Sequence, residues 1–211
     1  MRLGQVALCS AANILEKIFD TLINSFIHNE VGIADDFLNL KLAEALRVNL
    51  IHLFQAEKFS NAGTGNGLAA LKNKEIRSDV IYWLDRSHNN LNENLFFDLM
   101  DAFVLHLNQT CYTGITSYEF HYTRYEPGTF YTRHIDQFQN NGSRKYSMIL
   151  YLNEGWKSED GGELCIHQGQ QIQSIAPRNG KGVFFKSAEL EHEVLITTKA
   201  RMSITGWLKV D

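Results

Sequence analysis

Residues 117–152, SYEFHYTRYEPGTFYTRHIDQFQNNGSRKYSMILYL, decide the fold. In the opening stretch large side chains alternate, so that Tyr118, Phe120 and Tyr122 share one face, which is the period of a β-strand. Glu126-Pro127-Gly128 ends that run, Phe130–Ile135 starts another, the cluster at Asn140–Ser143 breaks the chain again, and Ser147–Leu152 is an apolar run of strand length. The same texture continues at Glu163–His167, Gln171–Ile175, Gly182–Phe185, His192–Ile196 and Arg201–Val210, separated by turn clusters at Glu159–Gly162, Gln168–Gln170 and Pro177–Lys181. Many short strands at this spacing predict a jelly-roll barrel, a double-stranded β-helix made of two facing sheets.

Upstream the period changes. Ile14, Ile18, Leu22 and Phe26 recur at helical spacing, and Leu38, Leu42, Leu46, Leu50 and Phe54 repeat every four residues after Asp35-Asp36, which would suit an N-cap. A third helix is predicted over about Asn92–Asn108, with Phe96, Met100, Phe103 and Leu107 on one side. The first half therefore reads as helices, and the fold class as α+β: a helical support over residues 1–112 bracing a barrel over residues 113–211. The glycines of Ala62–Gly67 lack the GxGxxG pattern and no strand is predicted before them, so this loop is not expected to cradle a phosphate.

Composition narrows the function classes. With 20 Lys+Arg against 24 Asp+Glu, a formal charge of −4, the chain of 211 residues is not suited to broad polyanion binding, and no nucleic-acid partner is expected. No apolar run reaches the roughly 18 residues of a membrane span, so no membrane partner is expected. The short apolar stretch at the start breaks at Asn13 and runs on as helix, which is not a secretory signal. Cys9, Cys111 and Cys165 are odd in number and widely spaced, which argues against a disulfide framework or a structural zinc and favours a reducing cytoplasm.

His134-Ile135-Asp136 is the first candidate for chemistry, because a His and an Asp two apart on a strand point the same way and could share a metal. Taken alone, a surface His beside a surface Asp explains the pair as well. His192 in a later strand adds a second imidazole, and two imidazoles with one carboxylate form the facial triad that holds non-haem Fe(II) with positions left open. Arg201, in the strand after, offers a planar fork for a carboxylate; Tyr151 could donate its hydroxyl to the same group, with Ile149 and Leu164 as a dry wall. The plainer readings are a surface ion pair for Arg201 and core packing for Tyr151.

The segments YEPGTFYTRHID, RKYSMILYLNEGW, GGEL, EHEV and RMSITGW together resemble the iron(II)- and 2-oxoglutarate-dependent prolyl hydroxylases, in particular the bacterial relatives of the oxygen-sensing prolyl hydroxylases. Ile76-Arg77-Ser78-Asp79 with Trp83 extends the resemblance ahead of the barrel. It implies His134, Asp136 and His192 as iron ligands and Arg201 as the 2-oxoglutarate anchor. Tyr151 would assist that anchor and Tyr125 would line the pocket, although the segment Tyr125–Tyr131 is a residue shorter than in the animal members. It also implies an ion pair between Arg144 and Asp79 near a peptide entrance, Trp207 at that entrance, and a finger loop over about 56–77 that folds over a peptide.

The reaction so implied uses O2 and 2-oxoglutarate to hydroxylate a prolyl residue of a protein, releasing succinate and CO2, with ascorbate as an accessory reductant. Elongation factor Tu is a known bacterial target class of the family and the first substrate to consider. A small-molecule hydroxylase on the same iron centre and a metal-binding sensor barrel without turnover are the alternatives. The remaining histidines, His121 included, are read as structural, and Cys165 as a small core residue.

Overall fold

The computed structural model describes residues 3–62, 76–137 and 142–210, with side chains from Asn13 onward. In chain order the elements are α1 (Leu3–Asn29), β1 (Val31–Ala34), α2 (Leu40–Gln55), β2 (Ser60–Asn61), β3 (Val80–Trp83), α3 (Leu91–Cys111), β4 (Ser117–Tyr125), β5 (Tyr131–His134), β6 (Arg144–Tyr151), β7 (Leu164–Gln168), β8 (Gln171–Ile175), β9 (Gly182–Lys186), β10 (Glu191–Val194) and β11 (Arg201–Lys209). Among the described residues the strands form two antiparallel sheets, a larger one in the order β1-β9-β6-β11-β4-β3-β2 and a smaller one in the order β5-β10-β7-β8. The expected α+β jelly roll is borne out. No described helix is long and apolar enough to cross a membrane.

The period of two along the central strands builds two separate cores. From β4, β6 and β11, Phe120, Tyr122, Met148, Leu150, Ile204 and Leu208 turn to the helices and pack with Leu22, Leu46, Phe96 and Phe103. The alternate residues Tyr125, Ile149 and Tyr151 turn to the other side and pack with Leu164, Ile166 and Val194 of the smaller sheet. This explains why Ser147–Leu152 reads as a continuous apolar run: the central strand β6 is covered on both faces. Gly206 lets β11 approach β4, since a Cβ there would run into the Phe120 ring and the Glu119 carbonyl.

Two expectations need correction. The first half is not purely helical: β1, β2 and β3 join the larger sheet. These strands are four residues or shorter, too brief for periodicity to separate them from helix or loop. The cap of α2 is Asn39, whose Oδ1 accepts from the Leu42 N–H at 2.9 Å, not Asp35-Asp36. Phe37 and Leu38 are buried ahead of the helix, and Asp35 instead pairs with Lys181 at 3.1 Å. Of the loop expected over about 56–77, residues 63–75 lie outside the described residues.

Candidate active site

The two histidines meet because β5 and β10 are antiparallel neighbours in which His134 and His192 stand directly opposite, with ring centroids 4.2 Å apart. Asp136 lies two residues past the end of β5, with its carboxylate beside both rings. Its Oδ1 lies 3.4 Å from His134 Nε2 and 3.6 Å from His192 Nε2, and ligand atoms of the three residues all fall within 4.8 Å of one another. Each imidazole is fixed from behind by the carbonyl two residues earlier. His134 Nδ1 donates to Thr132 O at 2.7 Å and His192 Nδ1 to Leu190 O at 3.1 Å, which leaves both Nε2 lone pairs facing the centre.

The Asp136 carboxylate is held in its charged form. Burial opposes that charge, but His192 first, then His134 and the Ser147 hydroxyl at 2.7 Å, outweigh burial and set its pKa well below the usual carboxylate range. Burial pushes His192 the other way, down to about 4, so its imidazole is neutral at physiological pH and able to act as a ligand. Two imidazole nitrogens and one carboxylate oxygen that converge in this way fit an oxygen- and nitrogen-liking divalent metal such as Fe(II).

Deeper in the barrel, Arg201 at the start of β11 is only 1 % exposed. Its Nε donates to Gly162 O at 2.8 Å, and its guanidinium carbon lies 5.1 Å from the Tyr125 ring centroid and 5.0 Å from that of Tyr151. One terminal nitrogen of Arg201 and the hydroxyl of Tyr151 are buried without a hydrogen-bond partner. A buried guanidinium nitrogen and hydroxyl left unsatisfied side by side are a seat for an anion, and the fork of Arg201 matches a carboxylate. Burial raises the pKa of Tyr125 and of Tyr151, so both phenols keep their protons. Ile149 and Leu164 line the same pocket.

At the mouth, the structure separates Asp79 from Arg144, contrary to the expected ion pair. Asp79 is gripped by Arg77, with both contacts at 2.7 Å, while Arg144 pairs with Glu119 at 2.6 Å and lays its guanidinium 3.4 Å from the Trp207 ring centroid. The reason is placement. Arg77 is two residues from Asp79, whereas Arg144 starts β6 opposite Lys209, where Glu119 of β4 is within reach across β11. Trp207 lines the pocket and carries a buried indole N–H without a partner.

Residues not singled out beforehand complete the site. Tyr131 stacks on His134 at 3.5 Å with Arg77 over its other side at 4.4 Å. His121 is buried and lines the pocket between Trp83, at 4.9 Å, and Trp207, at 5.6 Å, so it is not merely structural packing. Its position was legible, because His121, Thr123 and Tyr125 alternate on the face of β4 opposite Phe120 and Tyr122. Tyr131 carries no such signal, since a register shift interrupts the β5–β10 ladder.

Residues 120–209 match the family model of the 2OG-Fe(II) oxygenase superfamily. Among solved structures, a Pseudomonas putida prolyl-4-hydroxylase superposes with a TM-score of 0.80 at 31 % identity, covering 93 % of this chain and 99 % of that one. A hypoxia-inducible factor prolyl hydroxylase of Caenorhabditis elegans is 31 % identical over 144 residues, which is 64 % of this chain and 20 % of that protein. A PKHD-type hydroxylase of Picosynechococcus sp. is 33 % identical over 104 residues, 49 % of this chain and 47 % of that protein. The chain thus spans a fifth to about half of these two relatives.

Proposed function

The chain belongs to the 2OG-Fe(II) oxygenase superfamily, and from its site we propose that it hydroxylates a prolyl residue of a protein substrate, using O2 and 2-oxoglutarate and releasing succinate and CO2. His134, Asp136 and His192 would hold Fe(II) through two Nε2 atoms and Oδ1. When bound, Fe(II) with 2-oxoglutarate supplies the oxidation of a C–H bond by O2. The protein's part is to seat the reactants, exclude water and leave coordination positions open.

Arg201 takes the far carboxylate of 2-oxoglutarate in its fork, and the Tyr151 hydroxyl donates to the same group, which satisfies both orphaned polar atoms at once. Tyr125 closes that end of the pocket, and Ile149 with Leu164 keeps it dry. At the mouth, the Trp83–His121–Trp207 cluster offers flat apolar faces to a prolyl ring, and the unpartnered Trp207 indole N–H offers a donor to a peptide carbonyl. In this reading residues 113–211 carry the metal and cosubstrate contacts, and residues 1–112 brace them and add Trp83 to the mouth. A cytoplasmic location and support by ascorbate suit a centre that must keep its iron ferrous.

The observation that carries the proposal is the pairing, in one pocket, of a converging His-Asp-His set with the buried Arg201 guanidinium, one nitrogen of which lacks a partner. The test is to incubate purified protein with Fe(II), 2-oxoglutarate and a desalted bacterial extract, then follow succinate release and search by mass spectrometry for one-oxygen gains on proline, with elongation factor Tu as the first candidate. His134→Ala and Asp136→Ala should abolish succinate release; release persisting in either would overturn the ligand assignment. Turnover on small amino acids with no modified protein would replace the protein substrate by a small molecule.

A further inference from the structure

We propose that Ser147, backed by Ser187, is a positioning residue that holds the Asp136 carboxylate with Oδ1 turned toward the two imidazole nitrogens. This rests on the reading that His134, Asp136 and His192 form the metal site. Ser147 lies on β6 between Tyr146 and Met148 and turns into the barrel, and both serines are fully buried. Ser187 follows β9, and its backbone N–H donates to Lys145 O at 3.0 Å, which sets its side chain against that of Ser147. The contacts run in line: Ser187 Oγ to Ser147 Oγ at 2.9 Å, and Ser147 Oγ to Asp136 Oδ2 at 2.7 Å.

Proton counting gives this line a direction. An ionised carboxylate only accepts, so the single hydroxyl proton of Ser147 goes to Asp136. Ser147 then has only lone pairs to offer Ser187, and the Ser187 hydroxyl must donate to it. Each donor polarises the next, and the end of the relay is a charge-assisted bond to Oδ2. The two carboxylate oxygens are thereby assigned different work. Oδ2 is committed to Ser147, while Oδ1 faces the two imidazole nitrogens at 3.4 and 3.6 Å. A carboxylate without that tether is free to rotate away from the two imidazole nitrogens, which weakens the set as a metal site. Sequence gives no hint of it, because Ser147 and Ser187 are forty residues apart and meet only through β6–β9 pairing.

The experiment is a titration with Mn(II), followed by the electron paramagnetic resonance of the free ion, on the full chain and on Ser147→Ala, Ser187→Ala, the double variant and Asp136→Ala. Outer-shell partners of metal ligands are worth roughly 10- to 100-fold in affinity, so Ser147→Ala should weaken Mn(II) binding about tenfold or more and Ser187→Ala by less. The double variant should match Ser147→Ala alone, because Ser187 acts only through Ser147. Mn(II) affinity within about twofold of the parent in Ser147→Ala, or effects that multiply in the double variant, would overturn the relay. Thermal melting of the metal-free variants separates loss of fold from loss of binding; if Ser147→Ala fails to fold, Ser187→Ala carries the test, and an unchanged affinity there overturns the relay. Asp136→Ala should abolish binding, and retained binding in it would instead overturn the ligand assignment.

Discussion

Replacing Arg201 by Met should separate binding from stability. In the free protein this side chain is buried with one terminal nitrogen unpartnered, so its removal relieves an uncompensated desolvated charge, an effect of several kcal/mol. Removal also strips Gly162 O of its donor, which costs about 1–3 kcal/mol, so the ligand-free protein should melt at or above the parent temperature. Ligand binding should change far more. A charge-assisted contact to a carboxylate is worth roughly 1.5–3 kcal/mol, equal to a rise in Kd of about 10- to 150-fold. With Mn(II) present and 2-oxoglutarate at about 100 times the parent Kd, the parent gains about 2.7 kcal/mol, whereas the variant gains only about 0.3–1.3 kcal/mol. For a chain of this size that is a melting shift of about 5–11 °C in the parent against about 1–5 °C in the variant. Arg201→Lys, which keeps the charge and loses the fork, should fall between them. A variant that keeps the parent's ligand-induced shift would place the anchor elsewhere.

Burial, with the Arg77 charge second, depresses the His121 pKa from 6.5 to about 4. Between those values the unfolded chain binds a proton that the folded chain refuses, so stability should fall as pH drops from 6.5 to 4, by about 3 kcal/mol in total from this group. His121→Gln should flatten the slope, with His192 still contributing; urea midpoints at pH 7.5 and 4.5 that differ as much in the variant as in the parent would refute the assignment. Asp79→Ala leaves the largely buried Arg77 guanidinium without its carboxylate and should cost about 3–5 kcal/mol, read from urea denaturation; a loss below about 1 kcal/mol would mean that this pair does not anchor the mouth. Gly206→Ala drives a methyl into the Phe120 ring and the Glu119 carbonyl and should lower stability by about 1–3 kcal/mol or more, visible as a drop in melting temperature; an unchanged melting temperature would show that β11 and β4 are free to separate.

The strands of the second half were legible because each alternates or is bounded by turn residues: β8 begins and ends where Gln171–Ile175 was read, and β11 differs by one residue. The helices were legible from stripes such as Phe96, Met100, Phe103 and Leu107, all buried on α3. Brief strands such as β1, four mostly buried residues, are too short for a period of two to stand out from helix or loop, and Phe37 and Leu38 obscure the α2 cap because they are core residues standing before the helix.

Amino-acid order alone determined which residues share a strand face, and the resemblance of its motifs to the prolyl hydroxylases placed His134, Asp136, His192 and Arg201 as one candidate set. Tertiary structure alone decided who meets whom across strands: His134 with His192, Arg144 with Glu119, and Ser187 behind Ser147 behind Asp136. Periodicity is a local property of the backbone, whereas these contacts depend on sheet register and on the closure of one sheet over the other, which join residues far apart in the chain.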